Sequence, residues 1–139
     1  MKTVLVDLNV ILDYLEQRDG YETAAIIIKE CFLKRIKGYV CAHEITTLSY
    51  FLSKNKMKKR TMVKIISGIL KIFEVIEVNG EILNDALYSA ITDYEDAVIE
   101  QSAKRMKIDY IITKNMKDFV KGEVKSLRPE EYLAINKIR

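Results

Sequence analysis

Residues 3–15 read TVLVDLNVILDYL, and the spacing of the apolar residues changes within this stretch. Thr3 to Val6 is a short run rich in β-branched residues, which predicts a strand. From Leu8 onward the apolar residues recur every three or four positions, which is the spacing of an amphipathic helix. The stretch therefore predicts a strand followed directly by a helix, with one carboxylate, Asp7, at the carboxyl end of the strand.

The same alternation of strand and helix continues along the rest of the chain. Further strand-like runs lie at 39–42, 75–78, 109–113 and 124–127. Helical segments are predicted at 22–37, 43–52, 62–73, 81–91 and 93–107, with a short turn at 116–119 and a last helix opened by Pro129. Because parallel strands need helical crossovers, this order predicts the α/β class, with a mainly parallel sheet covered by helices on both faces.

Length and composition predict one globular domain, residues 1–139. The hydrophobic share of 49% excludes the disordered classes, and the net charge of +3 is too small by itself to mark a nucleic-acid-binding protein. The apolar runs are too short for a membrane helix, and Asp7 interrupts the stretch that a signal peptide would need. We therefore expect a cytoplasmic protein that does not associate with membranes.

Polar side chains, most of them acidic, follow the predicted strands or begin the helix before the fourth. They are Asp7 and Asn9 after the first strand, His43 and Glu44 after the second, Asp93, Glu95 and Asp96 in the helix, and Thr113, Asn115 and Asp118 after the fourth strand. Since ligands of parallel sheets bind beyond the carboxyl ends of the strands, these residues should converge on one edge. Crowded carboxylates repel unless a cation lies between them, and oxygen ligands favour Mg²⁺ or Mn²⁺ over zinc.

Local roles compete with this interpretation. Asp7 could be an N-cap, but an aspartate in so apolar a run is costly to bury unless it is paired or bound to metal. Glu44 would be favoured in the first turn of its helix in any case. Asp93 and Asp96 have the spacing of an N-cap and its reciprocating residue, so Asp93 is expected to be the cap and Asp96 the ligand. His43 is expected to make only local hydrogen bonds.

A basic run separates the third and fourth helical segments. It contains Lys54, Lys56, Lys58, Lys59 and Arg60. Such a run is usually a solvated connector, but it also suits contacts with phosphate groups. It is a candidate for weak nucleic-acid binding, because a polyanion that binds beside an acidic metal site needs positive charge nearby.

Together these stretches resemble the PIN domain. The resemblance rests on TVLVDLNVILD, on HEI after the second strand, on DYEDAVIEQSAKRMKIDYIITKN and on the closing KDF, and it spans residues 4–127. The chain is most similar to the single-domain bacterial type found as toxins of type II toxin–antitoxin pairs. The resemblance implies a small three-layer α/β/α sandwich and a metal-dependent endoribonuclease.

The resemblance also implies roles for individual residues. Asp7, Glu44 and Asp96 would be the catalytic carboxylates that hold Mg²⁺ or Mn²⁺. Asn115 stands at a position that is often aspartate in the family, and Asp118 would compensate for the missing charge.

Supporting roles and partners follow from the same resemblance. Asn9 and Thr113 match polar positions that orient the cluster or its waters, and Asp93 is counted with them. The implied partners are an RNA substrate, a second copy of the chain in a homodimer, and an antitoxin protein that blocks the acidic pocket.

Three other interpretations can be compared with the residues, which argue against two of them. Asn115 would suit a degenerate PIN-like module that binds nucleic acid or assembles without catalysis. The segment from Asp7 to Val10 is also similar to the D-x-D-x motif of haloacid-dehalogenase-type phosphatases. In those enzymes the second aspartate donates a proton, which Asn9 cannot do. A receiver-like domain would need an acidic pair before its phosphorylated aspartate, and the sequence has none.

Overall fold

The computed structural model describes residues 1–138 and contains a five-stranded sheet. The strands are β1 (Thr3–Val6), β2 (Lys37–Cys41), β3 (Glu74–Ile76), β4 (Tyr110–Ile112) and β5 (Ser126–Leu127). Their order is β3-β2-β1-β4-β5, and every neighbouring pair is parallel. The predicted α/β class with a parallel sheet is confirmed.

The helices form two layers, one on each face of the sheet. They are α1 (Leu8–Leu15), α2 (Tyr21–Phe32), α3 (Ala42–Lys54), α4 (Lys59–Ile72), α5 (Gly80–Ala86), α6 (Tyr94–Arg105), α7 (Met116–Phe119) and α8 (Pro129–Ile135). One core cluster takes Ile11 from α1, Ile27 from α2, Leu48 from α3, Ile69 from α4 and Leu133 from α8. The other takes Ile82 from α5, Val98 from α6 and Phe119 from α7. The result is the three-layer α/β/α sandwich that the resemblance implies.

The central strand β1 supplies side chains to both cores. Val4 and Val6 belong to the cluster on one face and Leu5 to the cluster on the other, and all three are fully buried. This follows from the alternation of side chains across a strand. The uninterrupted apolar run before Asp7 is therefore what a strand covered on both faces requires.

The order of the strands creates a crevice at one edge of the sheet. From β1 the chain adds β2 and β3 on one side, and then returns to add β4 and β5 on the other. The direction of winding therefore reverses between β1 and β4. In parallel α/β sheets such a reversal opens a crevice at the carboxyl ends of the strands, where ligands bind. Asp7 and Thr113 directly follow these two strands.

Several element boundaries differ from the predicted ones. The helix predicted over 22–37 ends at Phe32, because Lys34 adopts a left-handed conformation (φ 60°) and the chain turns into β2. Gly38, which directly follows the predicted helix, lies inside β2. A Cβ atom there would meet Cys31 Sγ and the ring of Phe73, so the position needs a residue without a side chain. Elsewhere, α5 ends at Ala86 rather than near residue 91, and the basic run is a connector only over 55–58.

Within residues 1–138, no helix combines the length and the hydrophobicity that crossing a bilayer would require.

Gly122 gives a stability prediction. A Cβ atom at this position would collide with the buried carboxylate of Glu100, which accepts a hydrogen bond from the backbone N–H of Glu123. We expect Gly122→Ala to lower the free energy of unfolding by about 1–3 kcal/mol, because the added methyl group overpacks this site. Gly68 in α4 is the matched control: its Cβ would meet nothing, so Gly68→Ala should stabilise the helix by up to about 1 kcal/mol. Urea unfolding followed by circular dichroism measures both, and equal effects would contradict the prediction.

Candidate functional site

The crevice between β1 and β4 contains an acidic cavity of about 230 Å³. Its lining includes five carboxylates from three separate stretches of the chain. They are Asp7 after β1, Glu44 at the start of α3, and Asp93, Glu95 and Asp96 at the start of α6, and Asn115 after β4 lies beside them. The structure therefore brings together the acidic residues that the sequence predicts at this edge.

Asp7 lies at the junction of β1 and α1 and is only 4% exposed. Its side chain does not cap α1; instead, Oδ2 accepts a hydrogen bond of 2.8 Å from Thr113 Oγ1. Burial raises the pKa of Asp7 to about 6, and the neighbouring charges of Asp93 and Glu95 act in the same direction, while the Thr113 hydrogen bond opposes them. Local helix capping therefore does not explain why an aspartate stands here.

Glu44 is buried in the first turn of α3. Its Oε1 atom accepts a hydrogen bond of 2.7 Å from the backbone N–H of Cys41, which is the reciprocal half of a capping box. Its Oε2 atom is buried and has no hydrogen-bond partner among residues 1–138. Burial and the nearby charge of Asp7 hold the pKa of Glu44 well above its usual value. A cap needs only one of the two oxygens, so the other remains available to a ligand.

Asp96 belongs to a hydrogen-bonded group with Asn115 and Asp118. The Asn115 amide nitrogen Nδ2 donates to Asp96 Oδ2 and to Asp118 Oδ2, at 2.9 Å in each case. The pKa of Asp96 is raised to about 7, mainly by burial. The charge of Asp7 is the next largest cause, and the charges of Asp93 and Asp118 contribute less. The Asn115 amide thus separates two carboxylates that would otherwise repel each other.

Two supporting residues fix the start of α6 and the end of β4. Asp93 Oδ1 accepts a hydrogen bond of 3.0 Å from the backbone N–H of Asp96, so the predicted N-cap is confirmed. Thr113 is fully buried; its hydroxyl donates to Asp7 and accepts from the backbone N–H of Asn115 at 2.9 Å. Thr113 therefore fixes the position of the Asp7 side chain relative to the backbone of Asn115.

Asn9 marks the boundary between this cavity and a second, more open one of about 440 Å³. The second cavity includes Arg18 and Lys114, and the Lys114 ammonium pairs with the buried carboxylate of Asp13 at 2.7 Å. Basic side chains therefore flank the acidic cavity on the side of α1.

Comparison with known proteins decides the family. Residues 3–117 match the family described as PIN domain. The chain belongs to the PIN domain family. PIN domains are nucleases, and in general they use divalent metal ions. No curated protein matches the chain in sequence.

Solved structures agree with the PIN domain fold. FitAcB from Neisseria gonorrhoeae is 19% identical with a TM-score of 0.74, over 91% of this chain and 98% of that chain. VapBC2 from Rickettsia felis, bound to a DNA fragment from its promoter, is 17% identical with a TM-score of 0.70, over 91% and 98%. A toxin–antitoxin complex from Klebsiella pneumoniae is 20% identical with a TM-score of 0.65, over 91% and 97%. At such identities the similarity is one of fold.

The cavity of this PIN domain also contains residues that the sequence analysis left out of the site. Both ring nitrogens of His43 are buried without a hydrogen-bond partner among residues 1–138, and burial lowers the pKa of this imidazole. The expectation that His43 makes local hydrogen bonds is therefore wrong. Glu95 and Phe51 line the same cavity. Phe51 lies seven residues after Glu44, a helical spacing that could have identified it.

The basic run lies outside the acidic cavity. Its side chains are exposed and form no ion pair with any residue in 1–138. Lys54 ends α3, while Lys59 and Arg60 begin α4, so the run occupies the corner between these helices.

The residues of the PIN domain cavity fit a divalent cation chemically, although two of the carboxylates are held by protein hydrogen bonds. Within residues 1–138, no three His, Cys, Asp or Glu side chains are arranged so that they could hold a metal ion as they stand. The reason is local, because Glu44 is turned to Cys41 and Asp96 to Asn115. The unpartnered Glu44 oxygen and the raised pKa values of three neighbouring carboxylates are what a cation would relieve.

Proposed function

We propose that this protein is a metal-dependent endoribonuclease that hydrolyses RNA phosphodiester bonds with Mg²⁺ or Mn²⁺. The observation that carries the proposal is the cluster of Asp7, Glu44 and Asp96 in the cavity between β1 and β4. A chain gains nothing in stability from three carboxylates with raised pKa values in one cleft. Such a cluster is expected where a cation and a phosphate bind.

The proposed roles divide between ligands and supports. Asp7, Glu44 and Asp96 hold the metal, with Asn115 and Asp118 as further oxygen ligands. When bound there, a divalent metal would supply the Lewis acidity that activates water and stabilises charge on the phosphate.

The supporting residues keep the ligands in place. Thr113 fixes the orientation of Asp7, and Asp93 fixes the first turn of α6, which carries Asp96. Asn9 lies at the rim, where it can contact the substrate or the waters of the cluster.

We further propose that the protein is the toxin of a type II toxin–antitoxin pair, active in the cytoplasm. The Klebsiella pneumoniae relative named above supports this, because its structure is described as a toxin–antitoxin complex. A homodimer is part of the proposal. Leu87 and Tyr88, after α5, are 64% and 83% exposed and offer apolar surface for self-association.

Cleavage of RNA by the purified protein tests the proposed activity. We expect hydrolysis of a mixture of structured and single-stranded RNA in Mg²⁺ or Mn²⁺, and none in EDTA. The Asp7→Asn variant should fold normally and lose at least about 100-fold in rate, because it loses a ligand charge at the centre of the cluster. It also serves as the control for contaminating ribonuclease. Cleavage in EDTA, or full activity of the variant, would contradict the proposal.

A degenerate PIN domain that binds without cleaving is the second candidate. The observation in its favour is Asn115, which replaces a carboxylate and is bonded to Asp96 and Asp118. Calorimetric titration with Mn²⁺ separates the two functions. Binding with one or two sites supports the nuclease, whereas no measurable binding supports the degenerate module.

A further inference from the structure

Phe51 is an aromatic side chain at the rim of the acidic cavity. It is 36% exposed, and neither hydrophobic core includes it. The neighbouring Tyr50 is 62% exposed, is likewise absent from both cores, and meets the Phe51 ring edge-on at 5.8 Å. The two rings therefore form an aromatic pair that belongs to neither hydrophobic core, with Phe51 beside the carboxylates.

The helix α3 connects the cavity to the basic corner. Glu44, Thr47 and Phe51 follow one another along one face of α3, and all three line the cavity. Phe51 lies seven residues after Glu44, which is about 10 Å along the helix axis. One further turn leads to Lys54, where the corner of unpaired basic side chains begins.

The charges along α3 match the alternating chemistry of a polynucleotide. Its start carries Glu44 beside the other carboxylates of the cavity, which would repel phosphates not held by a cation. Its end carries Lys54, the first lysine of the basic corner, which attracts phosphates. Between the two lies an aromatic face, which suits the uncharged base. Aromatic rings bind bases by stacking, and the base must be unpaired and splayed out to be reached.

We infer that Phe51 stacks on an unpaired base next to the scissile phosphate, and that the RNA strand continues along α3 to Lys54 and the basic corner. The inference rests on the proposed nuclease function and deepens it. The substrate is single-stranded at the cleaved bond, and Phe51 selects for that state. A duplex cannot bind in this way, because its bases are already stacked on one another and cannot reach the Phe51 ring.

Cleavage of a ten-nucleotide RNA of mixed sequence in Mn²⁺ tests the inference. After the cleaved bond is mapped, each nucleotide in turn is replaced by an abasic one. In the wild type, one abasic position next to the cleaved bond should lower kcat/KM about tenfold or more. Phe51→Ala should lower kcat/KM of the intact RNA by a similar factor and lose sensitivity at that position. A fully paired version of the RNA should be cleaved at least tenfold more slowly.

Three variants act as controls. Phe32→Ala removes a 63% exposed phenylalanine at the end of α2 and should leave both rate and abasic profile unchanged. Phe51→Tyr keeps an aromatic face and should retain activity. Lys54→Ala combined with Lys58→Ala should weaken binding of every RNA and make its salt dependence shallower, without altering the abasic profile.

The outcomes separate this inference from the proposed function. If Phe51→Ala cleaves like the wild type with the same abasic profile, or if duplex RNA is cleaved equally well, the inference is overturned and the nuclease stands. If the wild type cleaves no RNA, the nuclease fails, and fluorescence anisotropy with the same labelled RNA in Mn²⁺ then decides. Binding that Phe51→Ala weakens about tenfold retains the stacking role in a binding module; equal or absent binding overturns it.

Discussion

At pH 7.5 without divalent metal, Asp7→Asn is expected to unfold at a higher temperature than the wild type, by roughly 5 °C. The carboxyl group of Asp7 is buried, with its pKa raised from 3.8 to about 6, so its ionisation opposes folding. This difference in pKa corresponds to roughly 3 kcal/mol once the group is ionised in both states. Asparagine can still accept from the Thr113 hydroxyl without carrying the charge. We expect a net gain of about 1–3 kcal/mol.

The expected gain in stability of Asp7→Asn over the wild type depends on pH. Because the pKa of Asp7 is higher in the folded state, the wild type keeps this contribution to stability below about pH 4. It loses the contribution as the pH rises through about 6. The difference between Asp7→Asn and the wild type should therefore be near zero at pH 4 and reach its full size above pH 7. Thermal unfolding followed by circular dichroism across this range measures it.

Asp13 provides the matched control on the same helix. It is as buried as Asp7, but its carboxylate pairs with Lys114 at 2.7 Å. Asp13→Asn should therefore lower the stability by about 1–2 kcal/mol, the opposite sign. Saturating Mn²⁺ should raise the melting temperature of the wild type and of Asp13→Asn, but not of Asp7→Asn. If both asparagine variants were more stable than the wild type in EDTA, the prediction would be wrong, because the gain would not be specific to the unpaired carboxylate of Asp7.

Asn115→Asp is expected to have the opposite effect in the same site. The amide of Asn115 donates to Asp96 and Asp118, and an aspartate would replace both hydrogen bonds by contacts between carboxylates. Without metal at pH 8, we expect a loss of about 2–4 kcal/mol, because two hydrogen bonds to charged groups disappear and a third negative charge is added. Mn²⁺ should restore the stability, and its affinity should rise at least about tenfold.

The Asn115→Ala variant separates charge from hydrogen bonding. It also loses both hydrogen bonds but adds no charge, so it should be less destabilised than Asn115→Asp and should bind Mn²⁺ no more tightly than the wild type. Calorimetric titration and thermal unfolding supply both quantities. If the aspartate variant and the wild type bound Mn²⁺ with equal affinity, residue 115 would not be a metal ligand.

The sequence predicted the elements because local periodicity reports burial directly. The run that contains Val4 and Leu5 is apolar at every position, since β1 is covered on both faces, and the period changes at Leu8, where α1 begins. Helix ends were predicted less well. Lys34 adopts a left-handed conformation that its residue type does not favour, so nothing at the level of sequence marked the end of α2.

The meeting of Asp7, Glu44 and Asp96 was predicted from a rule about strand ends, and the structure confirms that they line one cavity. Their metal-binding role stays a prediction. The rule could not give the order of the strands, because pairing depends on contacts between distant segments. Nor could it give the orientation of side chains. That Glu44 is turned to Cys41, or that His43 lacks a partner, follows from packing in three dimensions.

The hydrogen bond between Thr113 and Asp7 spans 106 residues of sequence. It joins the first strand of the sheet to the fourth, which is made only after three strands and six helices of the domain. Asp7 therefore cannot find Thr113 until β4 has been synthesised. A nascent or C-terminally truncated chain that ends before β4 lacks an assembled site. For a nuclease of the PIN domain family, this delays the onset of activity until β4 has been made and has joined the sheet.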